Sequence, residues 1–354
     1  MFHPLRVSEV ERLTDDSVAV TLAIPAELRE AFRHTPGQHV AVRRTGANGE
    51  EIRRTYSICA PAGSGQVRIA VKRLPGGAFS TWANEGLRPG EKLAVSPPVG
   101  TFTLPLGPGR SRRLVAISAG SGITPVVSLA ATVLEREPES QFALIYGNRT
   151  SATTMFLEEL QDLKDRYPER FELFSVFSRE PQAVELFSGR LDRERLERLL
   201  DAFFPVDEVD QWLLCGPLGL IENARGLLVA RGVDPDRVHR EIFFAAAPTV
   251  AAAVAESDAG EDVASVRIRL DGREATLPVA RGGAPILDTV LRSRADAPYA
   301  CRGGVCGTCR ARVLEGEVRM DAQYALEPGE VERGYVLACQ AHPVSKRVFL
   351  DFDQ

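Results

Sequence analysis

Four cysteines near the end of the chain have the spacing of ligands to an iron–sulfur cluster. Cys301, Cys306 and Cys309 follow the pattern C-x4-C-x2-C, and Cys339 lies further along. Four thiolates grouped in this way hold a [2Fe–2S] cluster, which moves one electron at a time. A structural zinc site is the alternative, but zinc sites usually pair two C-x2–4-C units. The three-plus-one grouping therefore predicts a [2Fe–2S] cluster and, with it, an electron-transfer function.

Glycines lie between the grouped cysteines. Three ligands in one short stretch require a tight loop whose backbone N–H groups can face the sulfurs. Gly303, Gly304 and Gly307 are expected to supply positive φ angles and close backbone approach in this loop.

A second glycine-rich segment, Gly120-Ser-Gly-Ile-Thr-Pro125, directly follows an apolar β run and opens a helical pattern. Such a turn directs backbone amides and a helix N-terminus toward a pyrophosphate. Pro125 stands where the dinucleotide fingerprint G-x-G-x-x-G has its third glycine, and proline is accepted in a first helical turn. An ordinary tight turn is the alternative. The position of the segment in an α/β unit favours nucleotide binding.

A third segment, Arg53-Arg-Thr-Tyr-Ser-Ile-Cys59, places a cation, an aromatic ring and a hydroxyl on one predicted strand. Tyr56 can stack on a flat ring, Ser57 can hydrogen-bond to its edge, and Arg54 can pair with a phosphate. Ordinary strand residues would look the same, so this segment becomes informative beside the other motifs.

These segments fall in regions with different secondary-structure patterns. Over residues 1–106, short alternating apolar runs separated by Gly/Pro turns predict a β-barrel or sandwich, with short helices at 26–32 and after Gly77. Over residues 107–244, apolar β runs alternate with helices. This second pattern predicts a parallel sheet covered on both faces.

The segment 245–262 consists mainly of small and acidic residues. This composition predicts a flexible linker. Residues 263–354 then begin with a β-hairpin and a helix at 285–293, ahead of the cysteine loop. The predicted organisation is therefore three domains, 1–106, 107–244 and 263–354, with 245–262 between the last two.

The overall composition excludes several classes of protein. The 354 residues carry a net charge of −5, with no Lys/Arg block and no apolar run of the ~20 residues that a membrane span needs. We therefore expect no nucleic-acid and no membrane partner. The first residues lack the apolar core of a signal peptide, and six cysteines are too few for a disulfide scaffold. These features favour a cytoplasmic location. The five histidines show no metal-ligand spacing, so no catalytic base is assigned.

Taken together, the motifs resemble those of the ferredoxin–NADP reductase superfamily. The resemblance is carried by Arg54-x-Tyr56-Ser57, Gly77-Ala-Phe-Ser80, Gly120-Ser-Gly-Ile-Thr-Pro125, Tyr146-Gly-Asn-Arg-Thr150, Cys215-Gly-Pro217, Ala338-Cys-Gln-Ala341 and Asp351-Phe-Asp353. With the cysteines at its C-terminal end, the chain resembles oxygenase reductases that fuse such a reductase to a ferredoxin. This resemblance implies a multidomain fold: an antiparallel β-barrel FAD domain, an α/β parallel-sheet nucleotide domain and an α+β (β-grasp) ferredoxin domain.

The resemblance also implies roles for individual residues. Arg54 would bind FAD phosphate, Tyr56 would stack on the isoalloxazine, and Ser57 would lie near flavin N5. The other residues implied to line the flavin are Val71, Lys72, Gly77, Phe79 and Ser80. Those implied to hold the nicotinamide dinucleotide are Gly120, Gly122, Thr124, Pro125, Cys215, Gly216 and Pro217.

Ser57 and Cys215 are the predicted catalytic residues, because the resemblance places Cys215 close to the hydride-bearing carbon. The alternative for Cys215 is a buried small hydrophobe at a strand end, and Cys59 is interpreted only in that way. Glu241-x-Phe243 resembles a family element near the flavin, without an assigned role.

The choice of coenzyme depends on Ser178-Arg179-Glu180, after the predicted strand 171–177. In NADP-dependent relatives a Ser-Arg pair here contacts the 2′-phosphate. The Arg179 guanidinium offers a forked donor for that dianion, and Arg149 and Arg190 can assist. A solvated loop arginine is the alternative. NADPH is therefore expected, with NADH possible.

The predicted function is an electron-transfer series in which NADPH supplies FAD, FAD supplies the cluster, and the cluster supplies a separate oxygenase component. Other acceptors that the same series could serve are a steroid or aromatic-ring hydroxylase and a hybrid-cluster protein. A non-enzymatic electron carrier would not need the first 244 residues. The linker is expected to let the cluster domain move between flavin and partner.

Overall fold

The computed structural model describes residues 2–46, 49, 51–244, 263–270, 272–293 and 297–354. The chain divides into two units, Met1–Phe244 and Ala245–Gln354. The predicted linker 245–262 lies outside the described residues. Among those that are described, no helix combines the length and apolar character needed to cross a membrane.

The first unit begins with six antiparallel strands. They are β1 (His3–Thr14), β2 (Ser17–Ala23), β3 (His39–Thr45), β4 (Glu51–Ser57), β5 (Val67–Lys72) and β6 (Lys92–Val95), with helix α1 (Ala78–Glu85) between the last two. The order across the sheet is β4-β3-β6-β1-β2-β5. An antiparallel bridge between Ile58 and Ile69 joins its two edges. This closure produces the predicted antiparallel barrel, whose interior is filled by Leu5, Val20, Val40, Ile69 and Val71.

The predicted helix at 26–32 is shorter in the structure. Only Ala26–Leu28 is helical, as one 3-10 turn. Phe32 at the end of the segment is buried in the barrel core. The chain therefore leaves the helical path so that this aromatic side chain can enter the apolar interior.

The second part of the first unit is a five-stranded parallel sheet with helices between its strands. Its elements are β7 (Arg113–Ala119), α2 (Ile123–Arg136), β8 (Gln141–Asn148), α3 (Leu157–Arg166), β9 (Phe171–Phe177), α4 (Arg193–Phe203), β10 (Gln211–Pro217), α5 (Leu218–Ala230) and β11 (Val238–Phe244). The order β11-β10-β7-β8-β9 reverses direction between β7 and β10. Ligands of such sheets bind beyond the carboxyl ends of the strands at that switch point.

Hydrogen bonds hold the loop after β4 against helix α2. The Ser128 hydroxyl donates to the Ala60 carbonyl over 2.6 Å, and the Ala62 amide donates to the Thr132 hydroxyl over 3.0 Å. Arg136 donates to the Ala62 carbonyl over 2.6 Å. The carboxyl end of β4 is therefore fixed relative to the parallel sheet.

The second unit combines a five-stranded mixed sheet with a two-stranded antiparallel sheet and two helices. Its elements are β12 (Val263–Leu270), β13 (Arg273–Ala280), α6 (Ile286–Ser293), β14 (Arg310–Glu315), β15 (Val318–Met320), α7 (Pro328–Glu332), β16 (Tyr335–Leu337), β17 (Ala341–Pro343) and β18 (Arg347–Asp351). The main sheet has the order β13-β12-β18-β14-β16, and β15 pairs with β17 in the second sheet. Helix α6 buries Ile286, Leu287 and Val290 in the core of this unit. A helix packed on a mixed sheet of this kind is the predicted β-grasp arrangement.

Candidate functional site

Two pairs of strand neighbours place four polar side chains together in the first unit. In the barrel, His39 at the start of β3 is the cross-strand partner of Ser57 at the end of β4. In the parallel sheet, Cys215 on β10 is the partner of Glu241 on β11. The carboxylate of Glu241 contacts all three of the other side chains.

The distances define this group of side chains, which we call the carboxylate-centred site. The Ser57 hydroxyl donates to Glu241 Oε2 over 3.0 Å, and Cys215 Sγ lies 3.9 Å from the same oxygen. His39 Nδ1 lies 3.6 Å from Oε1. The Glu241 side chain retains 16% exposure, whereas that of His39 retains 8%. The structure thus brings together the two predicted catalytic residues, Ser57 and Cys215. It adds Glu241, which the resemblance had put near the flavin without a role, and His39, which the sequence analysis did not place in the site.

The Cys215 thiol keeps its proton. Burial raises its pKa well above the usual value, and the charge of the nearby Glu241 carboxylate raises it further. A thiol in this state is a weak S–H donor and not a nucleophile. Cys215 therefore packs at the end of β10 with its thiol facing Glu241.

The flavin residues predicted on β4 lie beside helix α1. The Tyr56 ring is 5.5 Å from that of Phe79, which is buried, and Phe79 is 5.5 Å from Trp82. Burial raises the pKa of Tyr56, so the phenol stays neutral. Arg54 is exposed, with one guanidinium nitrogen donating to the Arg53 carbonyl. These positions suit a flat aromatic ligand that carries a phosphate.

Helix α1 begins after Gly77, in the segment that the resemblance implies to line the flavin. The Ser80 hydroxyl accepts from the Leu74 amide over 3.1 Å and donates to the Gly77 carbonyl over 3.2 Å. A Cβ on Gly77 would lie 2.4 Å from Ser80 Oγ, so the turn needs glycine. Ser80 therefore shapes the turn through the two hydrogen bonds of its hydroxyl. The first amides of the helix that follows lack intrahelical partners and face an incoming anion.

Val71 and Lys72 at the end of β5 were also predicted to line the flavin. Val71 is fully buried in the barrel core, and its carbonyl accepts from the Asn84 amide over 3.1 Å. The Lys72 ammonium pairs with Asp16 at 3.6 Å. These side chains are therefore engaged within the protein, and their predicted role in lining the flavin stays a prediction.

The predicted nucleotide loop joins β7 to α2. Gly120 has a φ of 55°, which favours glycine, and its carbonyl accepts from the Tyr146 hydroxyl over 2.9 Å. A Cβ on Gly122 would lie 2.3 Å from the Cys215 carbonyl oxygen. Both glycines are thus required by the backbone, at the switch point of the sheet.

The remaining predicted nucleotide residues lie around this loop. Thr124 and Pro125 are buried in the first turn of α2, and the Thr124 hydroxyl donates to the Ser121 carbonyl over 3.1 Å. Gly216 and Pro217 follow Cys215 at the end of β10. All of them lie at the carboxyl edge of the sheet, where a dinucleotide is expected.

Three arginines lie on segments that backbone hydrogen bonds hold together beyond the carboxyl ends of β8 and β9. The Arg179 amide donates to the Arg149 carbonyl over 2.8 Å, and the Gly189 amide donates to the Phe177 carbonyl over 2.8 Å, which brings Arg190 near. All three side chains are exposed, and none has an acidic partner within the described part of the chain. Glu180 instead accepts from the amide and hydroxyl of Ser151. The Ser178–Arg179 segment therefore lies in a locally cationic surface.

The four predicted cluster ligands lie close together in the second unit. Cys309 and Cys339 are buried, Cys301 and Cys306 are half-buried, and all four are free thiols. Contacts with Cys306 and Cys339 lower the pKa of Cys301, and contact with Cys339 lowers that of Cys309. The same contacts raise the pKa of Cys306 and Cys339. Each of the four thiols therefore contacts at least one of the other three.

This donor set suits a cluster with two irons. The Gly303 amide donates to Cys301 Sγ over 3.3 Å, the kind of contact that stabilises a cluster ligand. In the described parts of the chain, no group of three or more His, Cys, Asp or Glu side chains is placed to hold a metal ion. In a [2Fe–2S] site the thiolates ligate two irons in pairs, and need not surround one ion.

One prediction about the cysteine loop is wrong. Gly304 and Gly307 have φ angles of 73° and 67°, as expected, but Gly303 does not have a positive φ. Arg302 takes that conformation instead, with a φ of 55°. The Gln340 amide nitrogen donates to the Arg302 carbonyl over 2.8 Å, which holds this turn.

Three family models match successive parts of the chain, one for each of its three main sheets. Residues 4–104 match an oxidoreductase FAD-binding domain, residues 116–226 an oxidoreductase NAD-binding domain, and residues 268–344 a 2Fe-2S iron-sulfur cluster binding domain. The fold class and the cofactor types predicted from the sequence are confirmed.

Curated relatives extend over nearly the whole chain. The chain is 44% identical to a component of the 1,2-phenylacetyl-CoA epoxidase of Escherichia coli (strain K12), covering 99% of this chain and 98% of the relative. It is 31% identical to the ferredoxin reductase component of 3-ketosteroid-9-alpha-monooxygenase from Rhodococcus rhodochrous, covering 98% and 96%.

Two solved structures share the fold. Phthalate dioxygenase reductase has a TM-score of 0.59 at 22% identity, covering 99% of this chain and 98% of that one. An intact type IV self-sufficient cytochrome P450 monooxygenase has a TM-score of 0.67 at 23% identity, with 99% of this chain matching 41% of that one. With its full-length relatives and its three matched domains, the chain belongs to the family of oxygenase reductase components that combine FAD-binding, NAD-binding and [2Fe–2S] domains.

Proposed function

We propose that the chain takes a hydride from NADPH at the carboxylate-centred site around Glu241. It then delivers electrons singly, through its [2Fe–2S] domain, to a separate oxygenase. The observation that carries this proposal is the position of Glu241. Its carboxylate contacts Ser57 at the end of the flavin-side strand and Cys215 at the end of the nucleotide-side strand. The hydride donor and acceptor sites therefore meet at one place.

The chain's residues orient the two cofactors at this place. When bound, FAD supplies the capacity to accept two electrons as a hydride and to release them one at a time. Tyr56 and the α1 N-terminus would hold the flat ring and the pyrophosphate, and the Gly120–Gly122 turn would hold the nicotinamide dinucleotide beside Cys215. Ser57 and Cys215 are both buried, so they would help to exclude water from the reacting atoms.

The arginines at the ends of β8 and β9 support NADPH as the donor. Arg179, Arg149 and Arg190 are exposed and lack acidic partners in the described residues, so they are available to a 2′-phosphate. NADH has no group at that position for them to bind. Comparing kcat/KM for the two coenzymes tests this choice.

We propose an epoxidase of phenylacetyl-CoA as the electron acceptor. The support is the 44% identity over 99% of the chain to the Escherichia coli epoxidase component. A 3-ketosteroid 9α-monooxygenase is the second candidate, because the chain is also 31% identical to a reductase component of that system. Epoxide formation from phenylacetyl-CoA by the purified oxygenase, NADPH and this chain is the test. Steroid hydroxylation without epoxidation would favour the second candidate.

The domain boundaries 1–106, 107–244, 245–262 and 263–354 also remain proposals. Their support is that each sheet lies within one predicted domain. Four cysteine ligands, Cys301, Cys306, Cys309 and Cys339, would place the cluster in the last domain. Cluster loss from a Cys306→Ser variant that retains flavin would test this assignment.

A further inference from the structure

The barrel carries a stacked arginine and tryptophan that none of the sequence motifs includes. The guanidinium carbon of Arg44 lies over the Trp82 ring, 3.9 Å from its centre, so the two flat groups are in contact. Arg44 belongs to β3 and Trp82 to helix α1, beside the residues implied to bind the flavin. The proposed hydride and electron transfer gives this pair no role.

Arg44 lies on the same face of the barrel sheet as Tyr56 and Arg54. Its cross-strand partner is Ile52 on β4. Ile52, Arg54 and Tyr56 are alternate residues of that strand, and alternate residues share one face. From Tyr56 the face therefore continues to Arg54 and then to Arg44 with its partner, at about 7 Å per step along the strand. We call it the flavin face.

Helix α1 connects the two ends of the flavin face through aromatic rings. The Tyr56 ring is 5.5 Å from that of Phe79. Phe79 is in turn 5.5 Å from Trp82, on which Arg44 lies. Phe79 is buried in the barrel core, whereas the other three side chains are half-buried. The accessible part of this row is therefore its outer surface, from Tyr56 to Arg44.

The protein leaves the guanidinium of Arg44 as the outer surface of the stacked pair. Phe79 contacts Trp82 edge-on, at an interplanar angle of 66°. A Cβ on Gly86 would lie 3.0 Å from Trp82 Cδ1, and the tryptophan ring also packs against the barrel core. Trp82 is thus held by the protein on several sides and supports Arg44 from beneath.

The arginines of β3 and β4 differ in their acidic partners. Arg43 lies on the opposite face from Arg44, over the Phe2 ring, and pairs with Glu51 at 3.3 Å. Within the described residues, neither Arg44 nor Arg54 has an acidic partner. The two guanidinium groups of the flavin face are therefore available to a ligand.

We propose that the adenine of FAD stacks on the outer face of the Arg44 guanidinium, whose inner face lies on Trp82. FAD consists of a flavin, a pyrophosphate and an adenosine in that order, and the flavin face offers Tyr56, Arg54 and the stacked pair in the same order. Arginine suits this position because its flat guanidinium stacks on aromatic rings. The pair thereby selects FAD over FMN, which ends at its phosphate. This inference rests on the flavin site that the proposed function uses.

The test measures the affinity of the flavin-free full-length chain for FAD and for FMN, from the change in flavin fluorescence on binding. In Arg44→Ala the Kd for FAD should rise about tenfold, because stacking of one base contributes at least about that factor, and the Kd for FMN should change less than about twofold. Arg44→Lys keeps a charge near Trp82 without the flat surface, so it should lose as much FAD affinity. Full FAD affinity in Arg44→Lys, or equal weakening of both flavins in Arg44→Ala, would overturn the proposal.

Two further variants separate this proposal from the flavin site itself. Arg43→Ala alters the adjacent arginine on the opposite face and should leave both Kd values unchanged; a matching loss of FAD affinity there would contradict a specific role of Arg44. Tyr56→Leu should weaken FAD and FMN together. If it does so while Arg44→Ala weakens neither, the adenine site is refuted and the proposed function stands. If Tyr56→Leu changes neither Kd, the flavin does not lie on β4, and both proposals lose their site.

Discussion

The Ser57 hydroxyl donates a 3.0 Å hydrogen bond to the carboxylate of Glu241, which lies 184 residues further along the chain. This bond joins the end of a barrel strand to the edge strand of the parallel sheet. The same carboxylate faces Cys215 on the adjacent strand. The flavin side and the nucleotide side of the first unit are therefore connected through one ionisable group.

Removing the charge of Glu241 should slow hydride transfer. Glu241→Gln keeps an oxygen that accepts from Ser57 but lacks the negative charge. Because a preorganised charge beside the reacting atoms is worth about tenfold or more, we expect flavin bleaching by NADPH to slow about tenfold to a hundredfold. Anaerobic rapid mixing measures this rate. Glu185→Gln, which alters an exposed carboxylate paired with Arg198, should leave it unchanged; equal effects of the two variants would contradict the role of Glu241.

Replacing Arg179 should weaken the use of NADPH selectively. A charge-assisted contact to phosphate contributes about 1.5–3 kcal/mol, so Arg179→Ala should raise the KM for NADPH about tenfold to a hundredfold. The KM for NADH should change little. Arg198→Ala removes another exposed arginine, on α4 and paired with Glu185, and serves as the control. A proportional loss with both coenzymes would argue against a 2′-phosphate site at Arg179.

Alanine substitutions at Gly303 and Gly304, two adjacent glycines of the cysteine loop, should differ in their effect on cluster content. Gly304 has a φ of 73°, and an added Cβ would lie 3.1 Å from the Ala322 carbonyl oxygen. Gly304→Ala is therefore expected to cost about 1–2 kcal/mol and to lower cluster content. At Gly303 an added Cβ would meet only the Cys301 carbonyl oxygen at 3.9 Å, so Gly303→Ala should retain the cluster. Iron content and the visible spectrum measure both variants, and the reverse order would show that the loop has another geometry.

The first unit should lose stability at alkaline pH through its buried thiols. Burial raises the pKa of Cys59 to about 12, whereas an unfolded cysteine titrates near pH 8.5. Above that value the native state holds a proton that the unfolded state releases, so the free energy of unfolding falls as the pH rises. Each such group contributes about 1.4 kcal/mol per pH unit.

Cys59→Ala should reduce this alkaline slope by the contribution of one group. Both tryptophans, Trp82 and Trp212, lie in the first unit, so their fluorescence during denaturant unfolding reports on it. The comparison uses the pH dependence and not the absolute stability, because removing the sulfur leaves a small cavity. An unchanged slope between about pH 9 and about pH 11 would show that Cys59 is already ionised in the native state.

Local spacing was sufficient to predict much of the fold and part of the site. The cysteine pattern, the turn at Gly120 and the apolar periodicity depend on residues that are close in the chain, and the matching elements lie where expected. The helix at 26–32 and the positive φ at Gly303 were wrong because contacts from distant segments decided them. Phe32 enters the barrel, and Gln340 holds the carbonyl of Arg302.

Local pattern did not place His39 in the site, and the resemblance put Glu241 near the flavin without assigning it a role. His39 faces Ser57 through the register of β3 and β4, and Glu241 faces Cys215 through the register of β10 and β11. Register depends on the tertiary pairing of strands, which one sequence does not contain. The sequence did contain one usable signal for Glu241. The strands that carry Cys215 and Glu241, β10 and β11, both end at the carboxyl edge of the parallel sheet, where side chains converge at the switch point. The predicted linker movement and the cytoplasmic location stay predictions.

The central claim is that electrons pass from NADPH through the flavin to the cluster within this one chain. Anaerobic rapid mixing of the holoenzyme with NADPH, followed at separate flavin and cluster wavelengths, tests it most directly. We expect the flavin to bleach first and the cluster to bleach afterward, at a rate independent of protein concentration. Bleaching of the flavin with a cluster that stays oxidised, or cluster reduction in protein depleted of flavin, would contradict the account.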